Sequence, residues 1–247
     1  HFGDRAGLVL DLASYMVVEG RNQGQYYPDY AYRHPLFSPG MRIYSDSTVS
    51  KFLSSVKDEQ IAGFLNDWNT DRDHKSRIYV SYDSTNKNCQ AGDVDFVEFG
   101  KAKVDLGLPI FNVGLAMDQN NRIPLFYELY PGSINDVSQF KFMVDKAVGY
   151  GYKNIGFIID RGYFCKANIR YMDEKNYGFV MMVKGCKPLV CAIIDEHRGT
   201  FETRRACSIA GHHIHGTTVK RKLFPDDERE RYLHLFFSPV KMMKERC

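Results

Sequence analysis

The 247 residues contain no run of about 18 uncharged apolar side chains, the length that a membrane-spanning helix needs, so no membrane span is expected. Six cysteines stand at positions 89, 165, 186, 191, 207 and 247 without a CxxC pair or a regular spacing. That pattern argues against a disulfide framework and for reduced thiols in a cytosolic setting. Charge of one sign is scarce as well. A net charge of +3 is too small to establish a polyanionic partner and is compatible with one. An initiating Met is missing, and "HFGDRAGLVLDLASYMVVEG" carries acids inside its apolar pattern, which reads as an amphipathic helix and not as a signal peptide. Residues upstream of His1 are therefore expected.

What is there fits a globular chain, with 44% hydrophobic and 26% charged content, enough for one large domain or a domain with an appendage. Residues 1–76 read as mainly helical, with an irregular aromatic loop, "GQYYPDYAYRHPLFSPG", after the first helix. Val49, Phe52, Leu53 and Val56, then Ile61, Phe64, Leu65 and Trp68, fall at i, i+3, i+4, i+7 and give two consecutive helices one apolar stripe each. Plain helix packing accounts for the pair more simply than a helix-turn-helix does.

From Arg77 the texture changes. "RIYVSYD", "LPIFNVGLAMD" and "IPLFYELYPG" read as three strands of a meander, the last two joined at "DQNN". In "NDVSQFKFMVDKAVGYG", Asn135 or Asp136 can cap a helix whose inner face is Val137, Phe140, Val144 and Val148, with Gly149 and Gly151 closing it. A strand over Ile155–Asp160, a helix over Lys166–Lys175 and a strand "YGFVMMVK" follow. The expected order is β β β α β α β, an α/β fold with a mixed sheet.

Two of these strands run an apolar segment straight into a lone carboxylate, Asp83 in "RIYVSYDSTN" and Asp160 in "NIGFIIDRGY". A right-handed crossover from the third strand to the fourth can lay these two strands side by side and parallel, with both acids on one rim. Paired carboxylates there suit Mg²⁺ or Mn²⁺, whose remaining ligands are water and phosphate oxygens, and the matching chemistry is phosphoryl transfer.

These residues resemble the RNase H-like catalytic domain of DDE transposases from bacterial insertion sequences. The likeness rests on "YVSYDSTN", on "PLFYELYPGSINDVSQF" and on "IIDRGYF", in that order, and covers roughly Tyr79 to Lys184. It implies a core over 77–184, a helical N-terminal region over 1–76 that contacts DNA, and the start of a β-rich insertion over 185–247. It also implies Asp83 and Asp160 as the first two acids of a metal-binding triad, with Asp83 bridging two ions in cleavage and strand transfer. DNA would be the partner, bound by a homo-oligomer in the bacterial cytosol. The third acid should be a Glu on a helix beyond the insertion, whereas this sequence reaches "VKMMKERC" without a helix long enough to carry it, and Glu245 lacks a scaffold. A fragment or truncated copy is the resulting expectation, with a non-catalytic DNA-binding remnant as the alternative. A haloacid-dehalogenase-like phosphatase is disfavoured because Thr85 stands where that chemistry wants a second acid.

Asp136 reads as a structural cap, and Arg161 as a solvated or ion-paired arginine rather than a phosphate contact. "TFETRRA", "HIHGTTVKRKLF" and "RYLHLFFSP" read as strands of hairpins, whose Arg204, Arg205, Lys220, Arg221 and Lys222 are candidate contacts to a DNA backbone. His213 and His215 share a strand face near Cys186, Cys191, Cys207 and His212, but the spacing does not match common zinc modules.

Overall fold

The structure, a computed structural model, describes residues 1–73, 76–92 and 94–246. The chain divides into two compact units, His1–Val180 and Met181–Cys247. No described helix is long and apolar enough to cross a membrane.

In the first unit, α1 (Ala6–Glu19), α2 (Tyr27–Arg33) and α3 (Asp46–Ser55) enclose a core of Leu8, Tyr15, Tyr27, Tyr30, Ala31, Tyr44 and Val49. The aromatic segment expected to be an irregular loop thus contains a helix. Pro28 sits in the first turn of α2, where a missing N–H costs nothing, and Tyr27 and Tyr30 turn inward on Tyr15. Asp11, an acid inside the apolar pattern of α1, is buried because its carboxylate accepts from Phe37 N at 2.6 Å and Ser38 N at 3.1 Å. Those two charge-assisted bonds tie the loop before α3 to α1.

Next comes α4 (Asp58–Thr70), whose expected apolar stripe is only half-buried, with Phe64 exposed. Its anchor is polar instead. Asn69, 0% exposed, donates from Nδ2 to Leu65 O at 2.8 Å within the helix and to Leu125 O at 2.9 Å in the sheet, and its Oδ1 accepts from Tyr152 at 2.8 Å. Trp68 Nε1 adds a bond to Pro124 O at 2.8 Å. Replacing Asn69 with Ala removes three hydrogen bonds at a site closed to water and is expected to cost about 2–3 kcal/mol, read as a lower urea midpoint at unchanged slope. A cost within about 0.5 kcal/mol, the range of ordinary surface changes, would show that the stripe and not Asn69 holds α4.

The sheet is built from β1 (Ile78–Asn88), β2 (Ile110–Asp118), β3 (Ile123–Pro131), β4 (Ile155–Ile159) and β5 (Gly178–Met181), in the order β3-β2-β1-β4-β5. β1, β2 and β3 pair antiparallel as a meander, and β4 lies parallel to β1. Two crossover helices connect the later strands, α5 (Asp136–Gly149) and α6 (Lys166–Glu174). The order of elements is the expected β β β α β α β, and it is the RNase H-like mixed α/β arrangement. Asn135 caps α5 by accepting from Ser138 N at 3.0 Å, while the side chain of Asp136 lies outside the described residues. The buried face of α5 is Phe140, Met143, Val144 and Ala147; Val148, expected to point inward, is exposed because the stripe rotates about 100° per residue and Ala147 takes its place.

The second unit begins with a helix not anticipated from the sequence, α7 (Lys187–His197), opened by Pro188 in its first turn. After it come a two-residue strand β6 (Ser208–Ile209), then β7 (Ile214–Arg221), β8 (Arg231–Phe237) and α8 (Pro239–Arg246). The strands form an antiparallel sheet in the order β6-β7-β8. "TFETRRA" is not a strand: it forms turns and one 3-10 turn, Arg205–Cys207. The connection from β7 to β8 closes on buried Asp227, whose carboxylate accepts from Leu223 N at 3.2 Å and Phe224 N at 3.0 Å.

Candidate active site

β1 does not end at Asp83, as its sequence suggests. It continues to Asn88 because β2 pairs with it as far as Asn88↔Ile110. Its pairing with β4 stops earlier, at Tyr82↔Ile159. The residues that follow this last pair are Asp83, still within β1, and Asp160, just past the end of β4. Neighbouring strands lie about 4.8 Å apart, and paired positions face the same side, so the two carboxylates share one rim. Both residues are exposed, whereas Tyr82 and Ile159 just before them are buried.

The strand of Asp160 stops because its carboxylate caps a 3-10 turn, Arg161–Tyr163, accepting from Gly162 N at 3.2 Å. Asp83 Oδ1 accepts from Ser84 N at 2.8 Å. Each carboxylate thus keeps one oxygen with no hydrogen bond from another described residue. Beneath the rim the rings of Tyr82 and Tyr163 meet edge to face at 5.5 Å, and Phe140 packs on Tyr163 at 6.0 Å. A Cβ on Gly114 of β2 would fall 2.0 Å from the Tyr82 hydroxyl oxygen, so only glycine lets that ring lie across β2. Asn168 of α6 binds the carbonyl of Tyr163 at 3.0 Å and that of Val137 at 3.2 Å, joining the turn after Asp160 to the start of α5. Arg161 is exposed at the start of the turn.

Two carboxylates on one open edge are the kind of donor set a hard divalent cation prefers, and among the described residues no thiolate or imidazole is grouped with them. Among the described residues no group of three or more His, Cys, Asp or Glu side chains is gathered, at this rim or around Cys186, Cys191, Cys207 and His212. The side chain of Glu245 lies outside the described residues.

The candidate DNA contacts are placed differently from one another. Lys220 and Arg221 are on β7, with Lys222 just past its end, but Arg204 and Arg205 are exposed in the turn before β6 and not on a strand. Arg221 is held by Glu196 of α7 through Nη2, at 2.8 and 3.0 Å to the two carboxylate oxygens. Lys220 Nζ lies 5.7 Å over the Tyr232 ring. Residues 181–247 hold 13 Lys and Arg against 8 Asp and Glu, while residues 1–180 hold 20 against 22, so the basic excess is confined to the second unit.

No curated protein matches the sequence. Among solved structures, the chain is similar to the Mos1 transposase in its paired-end complex with left transposon end, at 12% identity and a TM-score of 0.30, over 76% of this chain and 64% of that one. It is similar to the piggyBac transposase in a synaptic complex with hairpin DNA, at 10% identity and a TM-score of 0.46, over 94% of this chain and 51% of that one. A third similarity is to Ciona intestinalis Endonuclease V, at 12% identity and a TM-score of 0.30, over 74% and 83% of the two chains. The chain thus spans less than two thirds of either transposase. The sequence pattern of the family described as Transposase DDE domain matches residues 82–232, more than half of the chain and inclusive of both rim acids, and the chain belongs to that family.

Proposed function

We propose that the chain acts on DNA by metal-dependent phosphodiester cleavage and strand transfer, with Asp83 and Asp160 as two of the carboxylates that hold Mg²⁺ or Mn²⁺. The observation that supports this reading is the β1–β4 register, whose last pair, Tyr82↔Ile159, is followed on the two chain segments by Asp83 and Asp160. A divalent ion held there supplies Lewis acidity to the phosphodiester and makes water a stronger nucleophile. Asp83 and Asp160 bind and orient; the Tyr82–Tyr163 pair keeps the two strand ends at a fixed separation. A third carboxylate, which the family resemblance implies, is not grouped with these two among the described residues. On the same reading the protein works in the bacterial cytosol as the enzyme of an insertion sequence and assembles on DNA as a homo-oligomer.

The test is Mn²⁺ titrated into the native chain and into the double variant Asp83→Asn/Asp160→Asn, followed by electron paramagnetic resonance. Binding by the native chain that the double variant lacks supports the reading, and equal binding sinks it.

DNA contact is assigned to Arg204, Arg205, Lys220, Arg221 and Lys222, in the unit that carries the basic excess. Arg221 reaches a phosphate only by exchanging Glu196 for it. Replacing Lys220, Arg221 and Lys222 with Ala should weaken binding to all DNA sequences alike and flatten the plot of log K against log salt by about 0.9 for each phosphate no longer neutralised. Identical slopes for the two proteins would show these side chains to be an ordinary solvated face.

A further inference from the structure

Where β4 stops, the edge of β1 beyond Asp83 would be left without a neighbour on that side. Residues 101–105, from the long connection between β1 and β2, take the place of one, and side chains hold them there. Asn86 donates from Nδ2 to Lys101 O at 3.0 Å and accepts at Oδ1 from Lys103 N at 2.9 Å. Two residues on, Asn88 donates to Asp105 O at 2.8 Å and accepts from Asp105 N at 3.1 Å. Each carboxamide offers one donor and one acceptor in a plane, as a strand's peptide group does, so two of them at i, i+2 fasten an extended segment. Lys103 Nζ then donates to Ser84 O at 2.8 Å, which puts an ammonium one residue from Asp83.

Three cations flank this stretch of β1, Lys87 on the face of Asp83 and the other two on the segment fastened by Asn86 and Asn88. Lys87 faces the same exposed side of β1 as Asp83 and Thr85, since side chains two apart share a face, and Lys101 and Lys103 are exposed on the fastened segment. No ion pair among the described residues involves any of the three. Two acids close to them in sequence are engaged elsewhere: Asp105 Oδ1 accepts from Gly107 N at 2.8 Å, and Glu98 accepts from the Ser133 hydroxyl. Lysines without acidic partners, on a segment held rigidly beside a carboxylate rim, suit a chain of phosphates that ends at that rim.

We propose that Lys87, Lys101 and Lys103 form a phosphate track that holds the DNA backbone as it approaches Asp83 and Asp160. The inference rests on the reading of that rim as the phosphodiester site, and it assigns binding residues outside the second unit. Each lysine contacts a phosphate as a point charge, positioning the strand without reading its sequence.

The experiment is lysine footprinting. The full chain is acetylated with and without a DNA duplex, in the absence of metal, and each site is quantified by mass spectrometry. Lys87, Lys101 and Lys103 should be protected about fivefold or more, with exposed Lys153, which precedes β4 and so stands at the opposite end of that strand from Asp160, as an unprotected reference. In parallel, the Lys87→Ala/Lys101→Ala/Lys103→Ala variant should lose up to roughly 2.7 from the salt slope, at about 0.9 per phosphate, and the matching arginine variant should keep the native slope because it retains the charges. Equal melting temperatures of the native and alanine proteins confirm that the fold is retained. Protection of Lys220 and Lys222 alone would overturn the track and leave the proposed function standing. Absence of any DNA binding by the native chain would overturn both.

Discussion

Mn²⁺ is expected to bind the Asp83→Asn chain on the order of 10² times more weakly than the native chain, because loss even of a residue that only orients a metal ligand costs about 10- to 100-fold. The carboxamide keeps the shape and one acceptor but loses the charge that a hard dication selects. The fold should not notice. Asp83 is exposed, and its carboxylate bonds the amide of the very next residue, so the melting temperature should stay within the small range of surface substitutions. Asp160→Asn is an equally clean probe, since Asn caps a turn about as well as Asp and can keep the Gly162 N–H satisfied. Duplex binding without metal should change less than about twofold in either variant, as neither removes a phosphate contact. In any assembly in which the chain cuts DNA, the rate should fall about 10³-fold or more. Isothermal titration with Mn²⁺ gives the affinities, and native affinity in Asp83→Asn would remove this residue from the metal site.

Phe157→Ala should be among the most damaging single changes, costing about 3–5 kcal/mol and lowering the melting temperature by roughly 10 °C or more. Phe157 is fully buried on β4, with Phe140 of α5 meeting it at 73° and Tyr177 at 77°, so its removal opens a cavity between the sheet and α5 that neither ring can refill without moving. The consequence extends to function, because β4 delivers Asp160 to the rim two residues after Ile158 and three after Phe157. Weaker Mn²⁺ binding should accompany the loss of stability. Calorimetry and urea unfolding measure the first effect, and a cost under about 1 kcal/mol would mean that the core under the rim repacks freely.

The elements around the rim are legible in the sequence because their signals are local. Alternation in "RIYVSYD", the capped helix after "PGS" and the apolar "NIGFII" each identify an element from a few adjacent residues, and the right-handed crossover then restricts which strands can be neighbours. Asp83 and Asp160 stand out for the same reason: a charged side chain directly after a buried strand is visible without knowing what it faces. Boundaries are less legible. β1 outruns its acid because of β2, which lies more than twenty residues away, and "TFETRRA" has a strand-like composition but no neighbour to pair with.

By itself, then, the sequence determined the order of strands and helices from β1 to β5, the two candidate carboxylates and the family, all of which follow from periodicity and from short motifs. Only the tertiary structure decided the partners of polar side chains. Asn69 looks like one more polar residue near the end of a helix until Leu125 and Tyr152 surround it. Asp11 resembles a solvated acid until the amides of Phe37 and Ser38 close on it. Arg221 reads as a free cation until Glu196 takes it, and Lys103 is an ordinary loop lysine until Asn86 and Asn88 fasten its segment beside Asp83. A hydrogen bond acts over about 3 Å and depends on direction, so no pattern along the chain encodes it. Burial needs only a period, whereas a polar contact needs two distant residues brought together by everything between them.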